Sequence, residues 1–140
     1  MKMTNLVMVN LMNTLQAYSA KKLPQKISFA ITRNLIKISK EYEIYDTQLK
    51  KLFETYSDHI IKDEDGNDKT NTNGIPIVDD SVKAEFNEQI KDLLNIEIDI
   101  EMYLVDPEIF NYDDKEGIYN AMSAQDIIVL QSVLCDMNKE

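Results

Sequence analysis

Residues 25–60 read QKISFAITRNLIKISKEYEIYDTQLKKLFETYSDHI, a run with neither glycine nor proline. Pro24 stands just before it, where proline suits the first turn of a helix. Apolar side chains recur at Ile27, Ile31, Leu35, Ile38, Tyr42, Tyr45, Leu49, Leu52 and Tyr56. Steps of three and four place them on one helix face, and from Leu35 to Tyr56 the steps alternate regularly enough to form an a/d seam. At ~1.5 Å per residue the helix would extend about 54 Å. A preceding helix over residues 4–19 is too short to cover it. Either a later element of the chain packs on the far half, or a second copy does, through an oligomer seam of Leu35, Ile38, Tyr42, Tyr45, Leu49, Leu52 and Tyr56.

Toward the N-terminus, Thr4 is placed to cap that 4–19 helix, with Val7, Leu11, Leu15 and Tyr18 at helical spacing. Toward the C-terminus the long run gives way to KDEDGNDKTNTNG at 62–74. A calcium loop needs an oxygen ligand at its first position and a glutamate at its twelfth when glycine holds the sixth. With Gly66 at the sixth position these are Ile61 and Thr72, and with Gly74 they are Lys69 and Asp80. Both registers fail, so Asp65-Gly66 and Asn73-Gly74 read as turn dipeptides. No internal repeat is expected.

Beyond the turns, Asp80 or Ser81 is placed to cap a helix over 81–95, with Val82, Phe86, Ile90 and Leu93 on one face. IEIDIEMYLV at 96–105 alternates apolar and acidic residues, a strand with one wet face. A lone strand is unstable, and IPIV at 75–78 is the expected partner. The segment from Asp106 to Gly117 is a loop with one helical turn. Ser123 then caps a last helix whose Ile127, Leu130, Val133, Leu134 and Met137 face a core. The expected fold is α+β and predominantly α: a long helical hairpin, a small two-stranded β element and a C-terminal helix. It forms a single domain over 1–140, with a basic-to-neutral helical half at 1–61, a turn-rich hinge at 62–78 and an acidic half at 79–140.

Charge divides the chain along the same line. Residues 1–40 carry seven basic side chains and no acid, whereas residues 61–140 carry six lysines against twenty acids. The net charge of −10 disfavours non-specific association with nucleic acid or an anionic membrane. No run approaches the ~18 apolar residues of a membrane span. Asn5, Asn10 and Asn13 interrupt the N-terminal apolar patch too often for a secretory signal, and the expected compartment is cytoplasmic. The single cysteine, Cys135, rules out an intrachain disulfide and a Cys-based zinc site. One histidine, His59, and three glycines supply neither a supported nucleophilic dyad nor a phosphate cradle. The expectation is a protein without catalytic residues, metal or cofactor.

Two charged surfaces remain as candidate partner-binding sites. Lys26, Arg33, Lys37 and Lys40 fall within roughly a 60° arc of the long helix, with Phe29 and Ile36 beside them: a basic ridge flanked by an apolar one. Such a ridge suits an acidic protein surface, or a nucleic-acid backbone as the lesser alternative. Its blander reading is a solvated face with Phe29 and Ile36 under the first helix. Glu97, Asp99 and Glu101 share one strand face, continued by Asp106 and Glu108. That row could mimic nucleic acid and occupy a partner's basic groove, or simply protect a sheet edge.

The order of segments adds a resemblance. Lys22-Leu23-Pro24, Ile31-x-x-Asn34-Leu35, Phe53 to Tyr56, KDEDGN at 62–67, EFNEQIKDLLN at 85–95, IEIDI at 96–100 and SAQD at 123–126 together resemble a group of small acidic proteins of unknown function. These are encoded by tailed phages and prophages of low-GC bacteria. The resemblance implies a phage context and brings no catalytic residue. It places the chain either among virion and assembly proteins or among small host-directed proteins, and the expected function is a non-enzymatic protein that binds and inhibits a host protein, such as a nucleic-acid-handling defence complex, in the manner of an anti-CRISPR, within the host cytoplasm. The alternative is a tail structural or assembly component that self-associates through the long helix.

Overall fold

The computed structural model describes residues 1–136; Met137, expected on the core face of the last helix, lies outside them. The chain folds as a predominantly helical α+β unit. In order it contains β1 (Lys2–Thr4), α1 (Asn5–Ser19), α2 (Gln25–Thr55), α3 (Lys83–Leu94), β2 (Glu97–Asp99) and α4 (Ala124–Leu134). The antiparallel pair of α1 and α2 is the helical hairpin, and α3 packs against α2 farther along. β1 and β2 pair antiparallel with Met3 opposite Ile98. Among the described residues no helix is long and apolar enough to cross a membrane.

At 31 residues, α2 is about 46 Å long, and its own chain covers it. Met8, Leu11, Met12 and Leu15 of α1 bury against Ile27, Ala30, Ile31 and Ile38 in the main core, joined by Leu130 and Leu134 of α4. A second cluster of Tyr56, Val78, Phe86 and Ile90 closes the far end, where the rings of Tyr56 and Phe86 meet edge to face at 5.2 Å. The expected oligomer seam is therefore an intrachain seam. Ile38 and Tyr45 are buried in the main core, Tyr56 lies in the second cluster, and Leu35, Tyr42, Leu49 and Leu52 pack against these clusters.

Thr4 does cap α1, its Oγ1 accepting the Val7 N–H at 3.2 Å. The inward face is rotated from the expected one, since Met8 and Met12 are buried while Val7 is exposed. The strand partner also differs from expectation. Residues 2–4 occupy the edge expected for 75–78, because Met3 buries its side chain opposite Ile98 and Asn5 donates its N–H to the Ile96 carbonyl at 3.0 Å. Only Glu97–Asp99 is regular strand, flanked by backbone bonds between Ile96 and Asn5 and between Ile100 and Met1; residues 101–105 form no strand. α2 ends at Thr55, followed by a 3-10 turn at Ser57–His59.

The hinge contains a repeat that the sequence reading did not expect. Asp63, Asn71 and Asp79 lie eight residues apart. The Oδ1 of each accepts the N–H two residues on, from Asp65, Asn73 and Ser81 at 2.9, 2.8 and 3.0 Å. Gly66 and Gly74 occupy equivalent places at φ +79°, a conformation that only glycine adopts without strain. Three backbone bonds close a ring: Ile61 N–H to Ile77 O, Ile77 N–H to Lys69 O, and Lys69 N–H to Ile61 O, at 2.8 to 2.9 Å. The third unit has Val82 in place of glycine and leads into α3. Asp79 holds both the N–H and the hydroxyl of Ser81, so neither Ser81 nor Asp80 caps α3, which starts at Lys83 without a side-chain cap.

α4 begins in a full capping box. Ser123 Oγ accepts the Asp126 N–H at 3.0 Å, and Asp126 Oδ2 accepts the Ser123 N–H at 3.0 Å. Tyr18 of α1 donates its hydroxyl to Asp126 Oδ1 at 2.7 Å, pinning α4 to the hairpin. The Ser123 backbone N–H and then the Tyr18 hydroxyl hold the Asp126 carboxyl below its ordinary range. A carboxyl depressed in the folded state stabilises the fold above its unfolded pKa of about 3.9, and that contribution is lost as pH falls through the lower folded value. Urea titrations at a series of pH values should therefore show a shallower acid-side loss of stability in Asp126→Asn than in the wild type. Parallel acid limbs would contradict this placement of the charge.

Candidate functional site

Asn34 sits among Ile27, Ile31 and Ile38 on the inner face of α2 and is fully buried. An unbonded amide there would be costly. Its Nδ2 donates to the Tyr103 carbonyl at 2.9 Å, and its Oδ1 accepts the Tyr103 N–H at 2.7 Å. The side chain thus pairs with the backbone as a neighbouring strand would. Lys37 Nζ donates to the Glu101 carbonyl at 2.7 Å, and Val105 donates its N–H to Leu134 O at 2.8 Å. Together these bonds hold residues 101–105 extended along the side of α2.

That placement brings Tyr103 to the basic ridge. Its ring meets Phe29 edge to face at 5.6 Å. The Arg33 guanidinium lies 5.1 Å from the Tyr103 ring centre and 5.9 Å from that of Phe29, within cation–π range of both. Beside the stack opens a cavity of about 500 Å³, lined among others by Lys26, Phe29, Tyr103, Leu104 and Ile109. A second, shallower cavity of about 260 Å³ lies where Lys37 and Lys40 meet Asp99 and Glu101.

The two charged faces foreseen as separate sites therefore meet on one surface. Lys26, Arg33, Lys37 and Lys40 are on it, and among the described residues none makes an ion pair. Phe29 and Ile36 are 51% and 56% exposed, so the first helix does not cover them as the blander reading required. On the acidic side, Glu97 and Glu101 are exposed, and Asp99 bonds the Met1 amino group at 3.0 Å. Asp106 and Glu108 have local structural roles: Asp106 Oδ1 accepts the Glu108 N–H at 2.9 Å, capping the 3-10 turn Pro107–Phe110, and Glu108 accepts from Asn111.

His59 and Cys135 do not meet. His59 Nδ1 lies 3.1 Å from Asp79 Oδ2 beside the turn repeat, whereas Cys135 is buried in the main core. Burial, with a smaller effect of the Asp106 charge, pushes the Cys135 thiol up, which disfavours the thiolate a nucleophile needs. Among the described residues no three His, Cys, Asp or Glu side chains gather as metal ligands.

Sequence reading missed Asn34, Tyr103, Leu104 and Ile109 as members of this surface. A signal for Asn34 was present: a lone amide on an otherwise aliphatic helix face implies a buried backbone partner. Comparison with protein-family models, curated proteins and solved structures finds no match to this chain.

Replacing Asn34 by Ala would leave the Tyr103 N–H and carbonyl without their partners and open a small void. Chemical denaturation should register a loss of about 2–4 kcal/mol, with accelerated exchange of the Tyr103 amide. A loss below about 0.5 kcal/mol would mean that the amide is not anchoring the segment.

Proposed function

We propose that this chain is a non-enzymatic binding protein that docks on a partner protein and blocks it by occupying its surface. The observation that carries the reading is the exposed Phe29–Arg33–Tyr103 stack beside the 500 Å³ cavity. Arginine and tyrosine are enriched among residues that dominate protein–protein affinity. Their mutual stacking here fixes side chains that binding would otherwise have to immobilise. The cavity suits an apolar anchor, and Lys26, Arg33, Lys37 and Lys40 suit acidic groups around it. A basic patch on a chain of net charge −10 also orients the encounter, since it attracts acidic groups that the net charge repels. Bare nucleic acid is the poorer ligand, because a net charge of −10 repels phosphate. In the phage context implied by the sequence resemblance, the target would be a host nucleic-acid-handling defence complex, inhibited by steric or electrostatic occlusion in the anti-CRISPR manner.

The test pairs the wild type with a Phe29→Ala/Arg33→Ala double variant and an Ile128→Ala control on exposed α4 surface. In quantitative pull-downs from host lysate, a partner retained by the wild type and the control should be lost at least about tenfold by the double variant. Its circular dichroism should remain that of the wild type. The captured partner's nucleic-acid processing should fall when wild-type protein is added and not when the double variant is. Equal capture by both proteins, or capture without inhibition, would reject the stack as the inhibitory surface.

A further inference from the structure

The outer side of α2 carries a row as regular as the inner one. Lys26, Phe29, Arg33, Ile36 and Lys40 follow in steps of three, four, three and four, the spacing that keeps residues on one helix face and forms the seam of paired helices. Base and apolar side chain alternate along it. All five are exposed, on the side away from Ile27, Ile31 and Ile38, which the core buries. The chain's own acids weigh on one end of the row only. Glu41, Asp99 and Glu101 share a hollow with Lys37 and Lys40. At the other end, Asp106 is the one acid lining the cavity beside Lys26, and its Oδ1 accepts the Glu108 N–H at 2.9 Å. Lys26 and Arg33 therefore carry most of the unspent positive charge.

We propose that this row seats an α-helix of the partner protein, one that repeats acidic and apolar residues at the same three-and-four spacing. The interior of α2 uses its N–H and C=O groups within the helix and offers none to a strand, whereas an incoming helix satisfies its own. Laid along α2, such a helix sets side chains three and four residues apart against Phe29 and Ile36, as helices do in apolar grooves. The cavity of about 500 Å³ beside Phe29 takes an apolar side chain, with Leu104 and Ile109 as further walls. Acids at the alternate steps meet Lys26 and Arg33. Because the row lies on the docking face proposed above, this assignment rests on that reading and adds the partner's form. A second copy of this chain fits poorly. In the antiparallel register that sets Arg33 against Glu43, Ile36 faces Lys40 and Phe29 faces Thr47, so neither apolar residue finds an apolar partner. α1 carries no charge, and α3 exposes Glu85, Glu88 and Asp92 without a large apolar side chain. α4 exposes Ile128, but its one acid, Asp126, is held by the capping box and Tyr18.

Two alanine-based helical peptides serve as probes. One repeats glutamate and leucine in steps of three then four, the other in steps of four then three, to match parallel and antiparallel approach. One of the two should bind, with amide shift changes centred on residues 26–40 and 103–109. Replacing its glutamates by lysine should weaken binding by about tenfold or more, and so should a central proline, which breaks the helix. Lys26→Glu/Arg33→Glu should reverse the preference and take the lysine peptide over the glutamate one. The glutamate and lysine peptides on the unaltered protein read the same charge preference if that variant does not fold. Binding by neither glutamate peptide, equal binding of the lysine or proline versions, or shift changes away from the row would overturn the proposal. So would shift changes in the row that grow with protein concentration alone, since a second copy would then fill it. If Phe29→Ala/Arg33→Ala loses a lysate partner while neither glutamate peptide binds, the docking face stands and its helical occupant falls. If a glutamate peptide binds at the row while the captured partner is indifferent to that double variant, the helical seat stands and the inhibitory reading falls.

Discussion

An amide set into the apolar face of a helix takes the place of a β-strand, and the surface of this protein depends on it. Asn34 has no route to solvent, so its donor and acceptor must find partners inside. The Tyr103 backbone supplies both. Because two bonds are made in strand geometry, residues on either side of Tyr103 are drawn out straight and cannot coil into a helix. Tyr103 then reaches Phe29 and Arg33, Lys37 reaches the Glu101 carbonyl, and Leu104 is left outside. A leucine at position 34 would improve the apolar count of α2 and remove the reason for residues 101–105 to lie where they do.

The other end of α2 is closed by different means. Glycine and Asx side chains form a ring of turns whose bonds are almost all local, so residues 62–82 need little apolar mass of their own. They attach through Ile60, Ile75, Val78 and Val82 to the Tyr56–Phe86 cluster. His59 and Asp79 add a polar clasp, with both a side-chain contact and a bond from the Asp79 N–H to the His59 carbonyl at 2.9 Å. What sequence reading took for a hinge where charge changes sign is thus an organised cap on the hairpin.

The helices were legible because their signals are local and repeated: Pro24 before α2, the three-and-four spacing from Ile27 to Tyr56, Thr4 and Ser123 as caps. The seam was legible too, but not what covers it, since coverage by α3 or by another copy leaves the same spacing in α2. The strand partner was hidden because Lys2–Thr4 is only three residues long, too short for alternation to stand out beside a helix cap. The eight-residue repeat escaped because its conserved element is a turn geometry met once by Asp63, once by Asn71 and once by Asp79, with different residues between. At the site, Lys26, Phe29 and Arg33 could be placed on one helix face from spacing alone. Their union with Tyr103 depends on a contact across 69 residues, which no local pattern encodes.

That long-range contact also explains why a chain so unevenly charged gains from folding this way. Basic residues gathered before position 41 and acids gathered after position 61 would repel within each group if the two stayed apart. The fold instead lays Glu97–Glu101 alongside Lys37 and Lys40. Lys37 is fixed on the Glu101 carbonyl, whereas Lys40 is attracted to the acidic strand without forming a close pair and so loses little side-chain freedom; such loose attraction at a surface is worth little less than a formed ion pair.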